Sequence, residues 1–329
     1  MKLVGIYLAA LVGIAACGPA LGQEAKVKLT LGHNAAAGNP KDEGAKYFAE
    51  RVRERSGGRI EIQVAGSAQL GDDTANITGM RTGSIDLSAN SQGALSTLIP
   101  EFGALGMPYL FDSLEHAWKV VDGPVGEELA KKADAKGLVL LGLMDNGIRH
   151  TSNSKRPIEK PEDLHGLKIR TPPDPVTVSI FRALGADTQQ IKFSELYIAL
   201  QQGVVDGQEN PIMNVHSSKL YEVQKYISLT GHKYETTPLL MSKRTWSRLS
   251  EADREVIRVS ATEALEYQRR LSKETEQKVT DEMPKLGIQI NSPDRDLFRK
   301  ASMPVIEEAY KSEIGGFVRK VVAEAQKAH

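Results

Sequence analysis

Neither glycine nor proline occurs in residues 250–283. These are the residues that most readily end a helix. The stretch therefore predicts one helix, about 50 Å long at the usual rise per residue. That exceeds the diameter of one small lobe, so the helix has to lie across two, as a strut or with a bend. At 329 residues the chain is long enough for two lobes of ordinary size.

The preceding segments supply two such units. Residues 27–31 alternate apolar and polar and read as a strand. Gly38, Asn39 and Pro40 break it. Residues 42–55 then place Ala45, Phe48, Ala49 and Val52 at helical spacing, and Ser56-Gly57-Gly58 ends that helix. Strands follow at 60–64 and 85–89, with a helix between them opened by Gly71-Asp72-Asp73, where an aspartate suits the N-cap. Strand-helix-strand-helix-strand is the pattern of a mostly parallel, helix-covered sheet. After an apolar strand at 138–144, a second α/β unit begins near 146–154. It has a strand at 167–170, a helix at 175–184, a helix at 194–201 capped by Ser194, and a short strand at 204–206. Helices at 294–311 and 314–327 end the chain.

The N-terminus reads as an export signal. Lys2 precedes a short apolar run at 3–16, too short to span a bilayer, and Ala20-Leu21-Gly22 offers a cleavage site before Gln23. A second reading stays open, in which Ile14-Ala15-Ala16-Cys17 is a lipoprotein box and Cys17 carries the lipid. Cys17 is the only cysteine. Cleavage after Gly22 would leave no thiol for a disulfide, a thiolate nucleophile or a metal. Basic and acidic residues balance at 42 each, and aromatics make up 5%. Neither suits a nucleic-acid partner. There is no Gly-x-Ser-x-Gly elbow, His-Glu-x-x-His or phosphate-binding Gly-rich loop, so no enzyme chemistry, metal site or cofactor is expected.

Residues 166–211 carry a set of motifs. These are Gly166-Leu167-Lys168-Ile169-Arg170, Phe193-Ser194-Glu195-Leu196-Tyr197 with Ala199-Leu200-Gln201, and Val205-Asp206-Gly207-Gln208-Glu209-Asn210-Pro211. With Gln69-Leu70-Gly71-Asp72-Asp73, Asn146-Gly147-Ile148-Arg149 and Tyr221-Glu222-Val223-Gln224-Lys225-Tyr226, the chain resembles the DctP-like solute-binding subunit of tripartite ATP-independent periplasmic (TRAP) transporters. The resemblance implies an α/β, two-lobe periplasmic binding protein with a cleft between its lobes and a long helix crossing both. It also implies a small organic-acid ligand and membrane-embedded TRAP permease subunits as partners. The expected division is a signal peptide at 1–22, lobe I at 27–147 plus about 236–275, and lobe II at 148–235 plus about 276–329.

By the same resemblance, Arg170 grips the substrate carboxylate, which suits the two parallel N–H donors of a guanidinium. Arg149 is a second candidate contact, competing with a hinge salt bridge. Asn210, ahead of Pro211, can donate to the carboxylate, and Phe193 can pack on the carbon skeleton. Asn34 and Asp73, from the first lobe, are candidates for ligand hydroxyls, with helix capping as the alternative for Asp73. His33 is a weaker candidate. His232, Tyr234, Thr236 and Thr237, on the crossing after the second lobe, favour a hydroxylated ligand such as a hexuronate. Where sialic-acid-binding relatives carry an acidic pocket residue, this chain has Ser91 after Asn90, and Pro173 replaces a polar residue; both argue against sialic acid.

Overall fold

The structure, a computed structural model, describes residues 26–328. The export segment, Cys17 and the cleavage site lie outside the described residues. The strands are β1 (Val27–Gly32), β2 (Ile60–Ala65), β3 (Leu87–Ala89), β4 (Leu138–Asn153), β5 (Lys168–Thr171), β6 (Asp187–Gln190), β7 (Gly207–Asn210), β8 (Tyr226–Ser242) and β9 (Gln289–Asn291). They form one sheet in the order β2-β1-β3-β8-β4-β7-β5-β6, with β9 added against β8.

The outer strands are parallel within each lobe: β1 with β2 and β3 on one side, β5 with β6 and β7 on the other. Between them run β4 and β8, antiparallel and long enough to serve both lobes. At one end β8 pairs with β3, and at the other β4 pairs with β7. The expected boundary near residues 146–154 is therefore no break in the chain's strand structure. It is a stretch of continuous strand loosened by register shifts at Leu140/Gly142, Asp145/Gly147 and Arg149/Thr151. Gly147 fits one of these: its φ is +111°, and a Cβ there would lie 3.2 Å from the Pro211 ring.

Local chemistry moves several expected boundaries. Asn39-Pro40 starts the first helix, Pro40–Arg55: the Asn39 side chain accepts from the Lys41 N–H, and Pro40 takes a position that needs no donor. Asp72, rather than Asp73, caps the helix Asp73–Thr82. Ser194 caps nothing, because a short 3₁₀ turn over Phe193–Glu195 precedes the helix Leu196–Gln201. The short strand is Gly207–Asn210, not 204–206: these four buried residues reach β4 and β5, whereas Val204 is half exposed.

The long helix is Glu251–Glu282, capped by Ser250. Its buried face carries Ile257, Ser260, Ala261, Ala264, Gln268 and Ser272. Such small residues at three- and four-residue spacing let it approach its neighbours closely. On the first lobe Tyr267 stacks on Tyr47 of Pro40–Arg55, ring centroids 4.3 Å apart. On the second, Ser272 Oγ lies 3.7 Å from the Met213 sulfur of the helix Ile212–Ser217. Midway, Gln268 brackets β4 at a register shift: its Oε1 accepts from the Asp145 N–H and its Nε2 donates to the Asp145 carbonyl, both at 2.8 Å. The helix Arg295–Lys311 packs on Pro175–Ala183 of the second lobe, with Phe298, Val305, Ile180 and Phe181 in one apolar cluster. The last helix, Gly315–Lys327, instead joins first-lobe residues, with Phe317, Val318 and Val321 clustered with Leu105, Val125 and Leu129.

Candidate functional site

Between the lobes lies a cavity of about 690 Å³. Its first-lobe wall includes Asn34, Lys41, Asp73 and Ser91; its second-lobe wall includes Arg170, Phe193, Asn210 and Asn214; Asn146, Arg149 and Glu235 come from the crossing strands.

Arg170 stands at the end of β5 next to β7, 2% exposed. Its Nε donates to the Ile191 carbonyl at 2.8 Å, and its Cζ lies 5.8 Å from the Phe193 ring centre. Among the described residues, no carboxylate comes within 4.0 Å of it, and neither terminal nitrogen donates to a protein acceptor. Burial pushes its pKa down to about 10, opposed by the charge of Glu209 and reinforced by Arg149. It is thus a cation at neutral pH whose two outer nitrogens have no anion to hold.

Arg149 is the reverse case. Its Nε and Nη2 grip both carboxylate oxygens of Glu209, Nη2 also donates to the Glu209 carbonyl at 2.7 Å, and Nη1 donates to Glu235. Burial alone would lower its pKa, but the Glu209 and Glu235 charges outweigh it and raise it. The same contacts hold Glu209 down to about 2 against the opposing effect of burial, with His232 Nε2 3.2 Å from Glu209 Oε2. Arg149 therefore lines the cavity while its donors are taken by protein carboxylates. Nearby, Lys233 pairs with Asp174, and the Thr177 hydroxyl accepts from Lys233 at 2.9 Å. Asn210 is also engaged: its Nδ2 donates to Gln208, and its Oδ1 accepts from Arg149 at 3.2 Å and Asn214 at 3.1 Å. One Nδ2 hydrogen is left for another acceptor.

On the opposite wall Asn34 Nδ2 donates to Asp73 Oδ2 at 2.9 Å, and Lys41 Nζ donates to Asn34 Oδ1 at 3.4 Å. Asp73, freed from capping by Asp72, has its pKa raised by burial, partly offset by Lys41 and Ser91. Ser91 lines the cavity and caps the short helix Gln92–Ser96. Pro173 lines it too.

Other candidates lie outside the cavity. His33 is fully buried outside the cavity: its Nε2 lies 3.4 Å from Asp42, and its Nδ1 accepts from the Ala35 N–H. His232, Tyr234, Thr236 and Thr237 do not line the cavity either. They lie buried in β8, where side chains alternate between faces. Tyr234 packs edge-on against Phe111, and Thr236 bonds Gln92. The residue of this segment that lines the cavity is Glu235.

Lys41 and Asn214 carry no motif. Lys41 sits in the first turn of a helix, where a lysine ordinarily reads as solvated; here it is 4% exposed and donates to Asn34.

The sequence profile of the bacterial extracellular solute-binding protein family 7 (DctP) matches residues 31–313. The chain belongs to this family. Among its relatives is the 2,3-diketo-L-gulonate-binding periplasmic protein YiaO of Escherichia coli, 34% identical over 301 residues, 91% of this chain and 92% of that one. A Sinorhizobium fredii protein is 54% identical over 280 residues; the match takes in 85% of this chain, which spans about half (52%) of that relative's length. The crystal structure of the sugar acid binding protein DctPAm of Advenella mimigardefordensis with galactonate superposes with a TM-score of 0.91 at 32% identity, covering 93% of this chain and 99% of that one. The DctP-like chain thus has the two-lobed fold of TRAP solute-binding proteins. No helix among the described residues is long and apolar enough to cross a membrane.

Proposed function

We propose that this DctP-like protein captures a sugar acid, such as a hexuronate or an aldonate, outside the cytoplasm and hands it to the membrane-embedded permease of a TRAP transporter, without turning it over. The observation that carries the reading is Arg170: a buried guanidinium in the interlobe cavity with no carboxylate partner among the described residues. An unpaired buried charge is costly, and a ligand carboxylate relieves it with two parallel hydrogen bonds. The polar wall of Asn34, Asp73 and Lys41 supports hydroxyl groups on the remainder of the ligand. The galactonate and diketogulonate named for the relatives are acids of this kind.

The lobes in this reading are 27–147 with about 236–275, and 148–235 with the segment after 276 up to the helix Arg295–Lys311. The last helix is added to the first lobe, with which it packs. Closure around a bound acid shifts the open–closed equilibrium by the ligand's preference for the closed form, and the permease would read that form.

A thermal-shift screen against uronates, aldonates, C4 dicarboxylates and neutral sugars tests the reading. A sugar acid raises the unfolding midpoint by mass action. A midpoint that moves only with neutral sugars contradicts carboxylate capture, and one that moves only with acids lacking hydroxyls contradicts the sugar-acid assignment.

A further inference from the structure

Among the described residues, the charged groups around the cavity are engaged with opposite charges with one exception. Arg149 spans Glu209 and Glu235, and Lys233 is paired with Asp174. Lys41 faces Asp73 through Asn34, which accepts from the lysine and donates to the carboxylate. Only Arg170 lacks such an arrangement among the described residues. The buried cations Lys41, Arg149, Arg170 and Lys233 are matched in number by Asp73, Asp174, Glu209 and Glu235.

Two consequences follow from elementary electrostatics. One ligand carboxylate finds an uncommitted cation at Arg170. A second, at the far end of the same ligand, would meet Asp73, and the Lys41 charge is already balanced. Bringing that second anion out of water without a free cation is unfavourable. A hydroxyl has no such difficulty, because it both donates and accepts. The first-lobe wall presents a donor (Lys41), a group that both donates and accepts (Asn34) and the carboxyl of Asp73 in sequence. That order suits neighbouring hydroxyls and does not suit a carboxylate, which only accepts.

We infer that the Lys41–Asn34–Asp73 array makes the cleft selective for a monocarboxylate with a polyhydroxylated chain over the diacid of the same carbon skeleton, with Lys41 as the specificity-determining residue. This rests on the proposal that Arg170 holds a carboxylate. Burial lowers the pKa of Lys41 and raises that of Asp73, and each group's charge opposes the effect on the other. The array therefore depends on both members, and removing one should change which ligand is preferred rather than weaken all ligands alike.

The test measures dissociation constants of the full protein for matched pairs, D-galactonate with galactarate and threonate with tartrate, and for lactate, a short acid that reaches only Arg170. The variants are Lys41→Met and Asp73→Asn. The wild type should bind the monoacid of each pair about tenfold or more tightly than the diacid, the scale of a hydrogen bond to a charged group. Lys41→Met should lose about tenfold or more for the polyhydroxy acid and distinctly less for lactate. Asp73→Asn, which leaves Lys41 unbalanced, should shrink or reverse the preference for the monoacid. Lactate binding by each variant shows that it is folded and that Arg170 still works. A wild type that favours the diacids overturns the inference, as does an Asp73→Asn variant with an unchanged monoacid-to-diacid ratio or a Lys41→Met variant that loses no more for the polyhydroxy acid than for lactate. Lactate binding with no binding of any polyhydroxy acid overturns it while sparing the Arg170 anchor. No binding of any acid, lactate included, overturns both.

Discussion

Asn39 of the first lobe and Asn214 of the second meet across the cleft: Asn39 Nδ2 donates to Asn214 Oδ1 at 2.9 Å and to Ser217 Oγ at 3.0 Å. Asn39 does two jobs with two atoms. Its Oδ1 caps the helix Pro40–Arg55 by accepting from the Lys41 N–H at 2.9 Å, and its Nδ2 ties that helix end to the other lobe. Asn214 in turn donates to Asn210 and Asn146, so the tie runs into the floor of the cavity.

Asn39→Asp separates these jobs, since aspartate caps as well as asparagine but cannot donate. Ligand affinity should fall by about fivefold to tenfold, the scale of one or two net hydrogen bonds. The loss should appear mainly in the off-rate, as is usual for contacts formed on closure. Asn39→Ala should cost about 1 kcal/mol of stability in addition, for the lost cap. Stopped-flow ligand binding and urea melts of the two variants separate the effects.

Gln268 fastens the long helix to β4 through both polar groups of Asp145's backbone. Gln268→Leu removes both bonds and leaves a buried N–H and C=O unsatisfied. A loss of about 2–4 kcal/mol is expected, read as a lower denaturation midpoint in urea. Gln268→Glu, which keeps an acceptor for the Asp145 N–H but places an unpaired charge beneath the helix, should be no less harmful.

Two groups with lowered pKa make the fold acid-sensitive, His150 on β4 and Glu209 in the buried ionic cluster. His150 is held near 3 by burial, then by the charges of His232 and Arg295, against an ordinary value of 6.5. Below pH 6.5 the unfolded chain takes up a proton that the native chain refuses, so stability falls toward pH 3. Glu209, held near 2 against an ordinary 4.5, adds stability that is complete above 4.5 and is lost as the pH falls toward 2. Burial raises Glu276 to about 7, so this group adds stability as the pH falls from 7 to 4.5 and opposes His150 there; melting midpoints should decline clearly below pH 4.5. In His150→Asn the midpoint between pH 6.5 and 4.5 should fall less, or rise more, than in the wild type.

How much of this was legible in the sequence depended on range. The long helix and the first strands follow from local pattern, since the absence of glycine and proline acts within the segment itself. Arg170, Phe193 and Asn210 were readable because their motifs are contiguous, and the structure lines one cavity with all three. The β8 segment was not. In a strand buried throughout, composition does not reveal which face meets the cavity, and Glu235 lines it while Tyr234 and Thr236 do not. Lys41 and Asn214 were hidden for a different reason. Each is an ordinary polar residue on its own helix and gains its place in the wall from contacts distant in its own helix's pattern: Lys41 with Asn34, and Asn214 with Asn39 of the other lobe. His33 was readable as an isolated polar residue beside Asn34, but the strand's turn sends it to Asp42 and away from the cavity.

If Arg170 anchors the ligand's carboxylate, calorimetric titration of Arg170→Ala beside the wild type, with the acid that gives the largest thermal shift, should reveal it. Removing the guanidinium leaves the ligand carboxylate desolvated without a partner, so binding should weaken by about 2–5 kcal/mol. Arg170→Lys should recover only part of this, because an ammonium cannot reproduce the fork. A dissociation constant unchanged in Arg170→Ala would contradict the account and place the anchor elsewhere in the cleft.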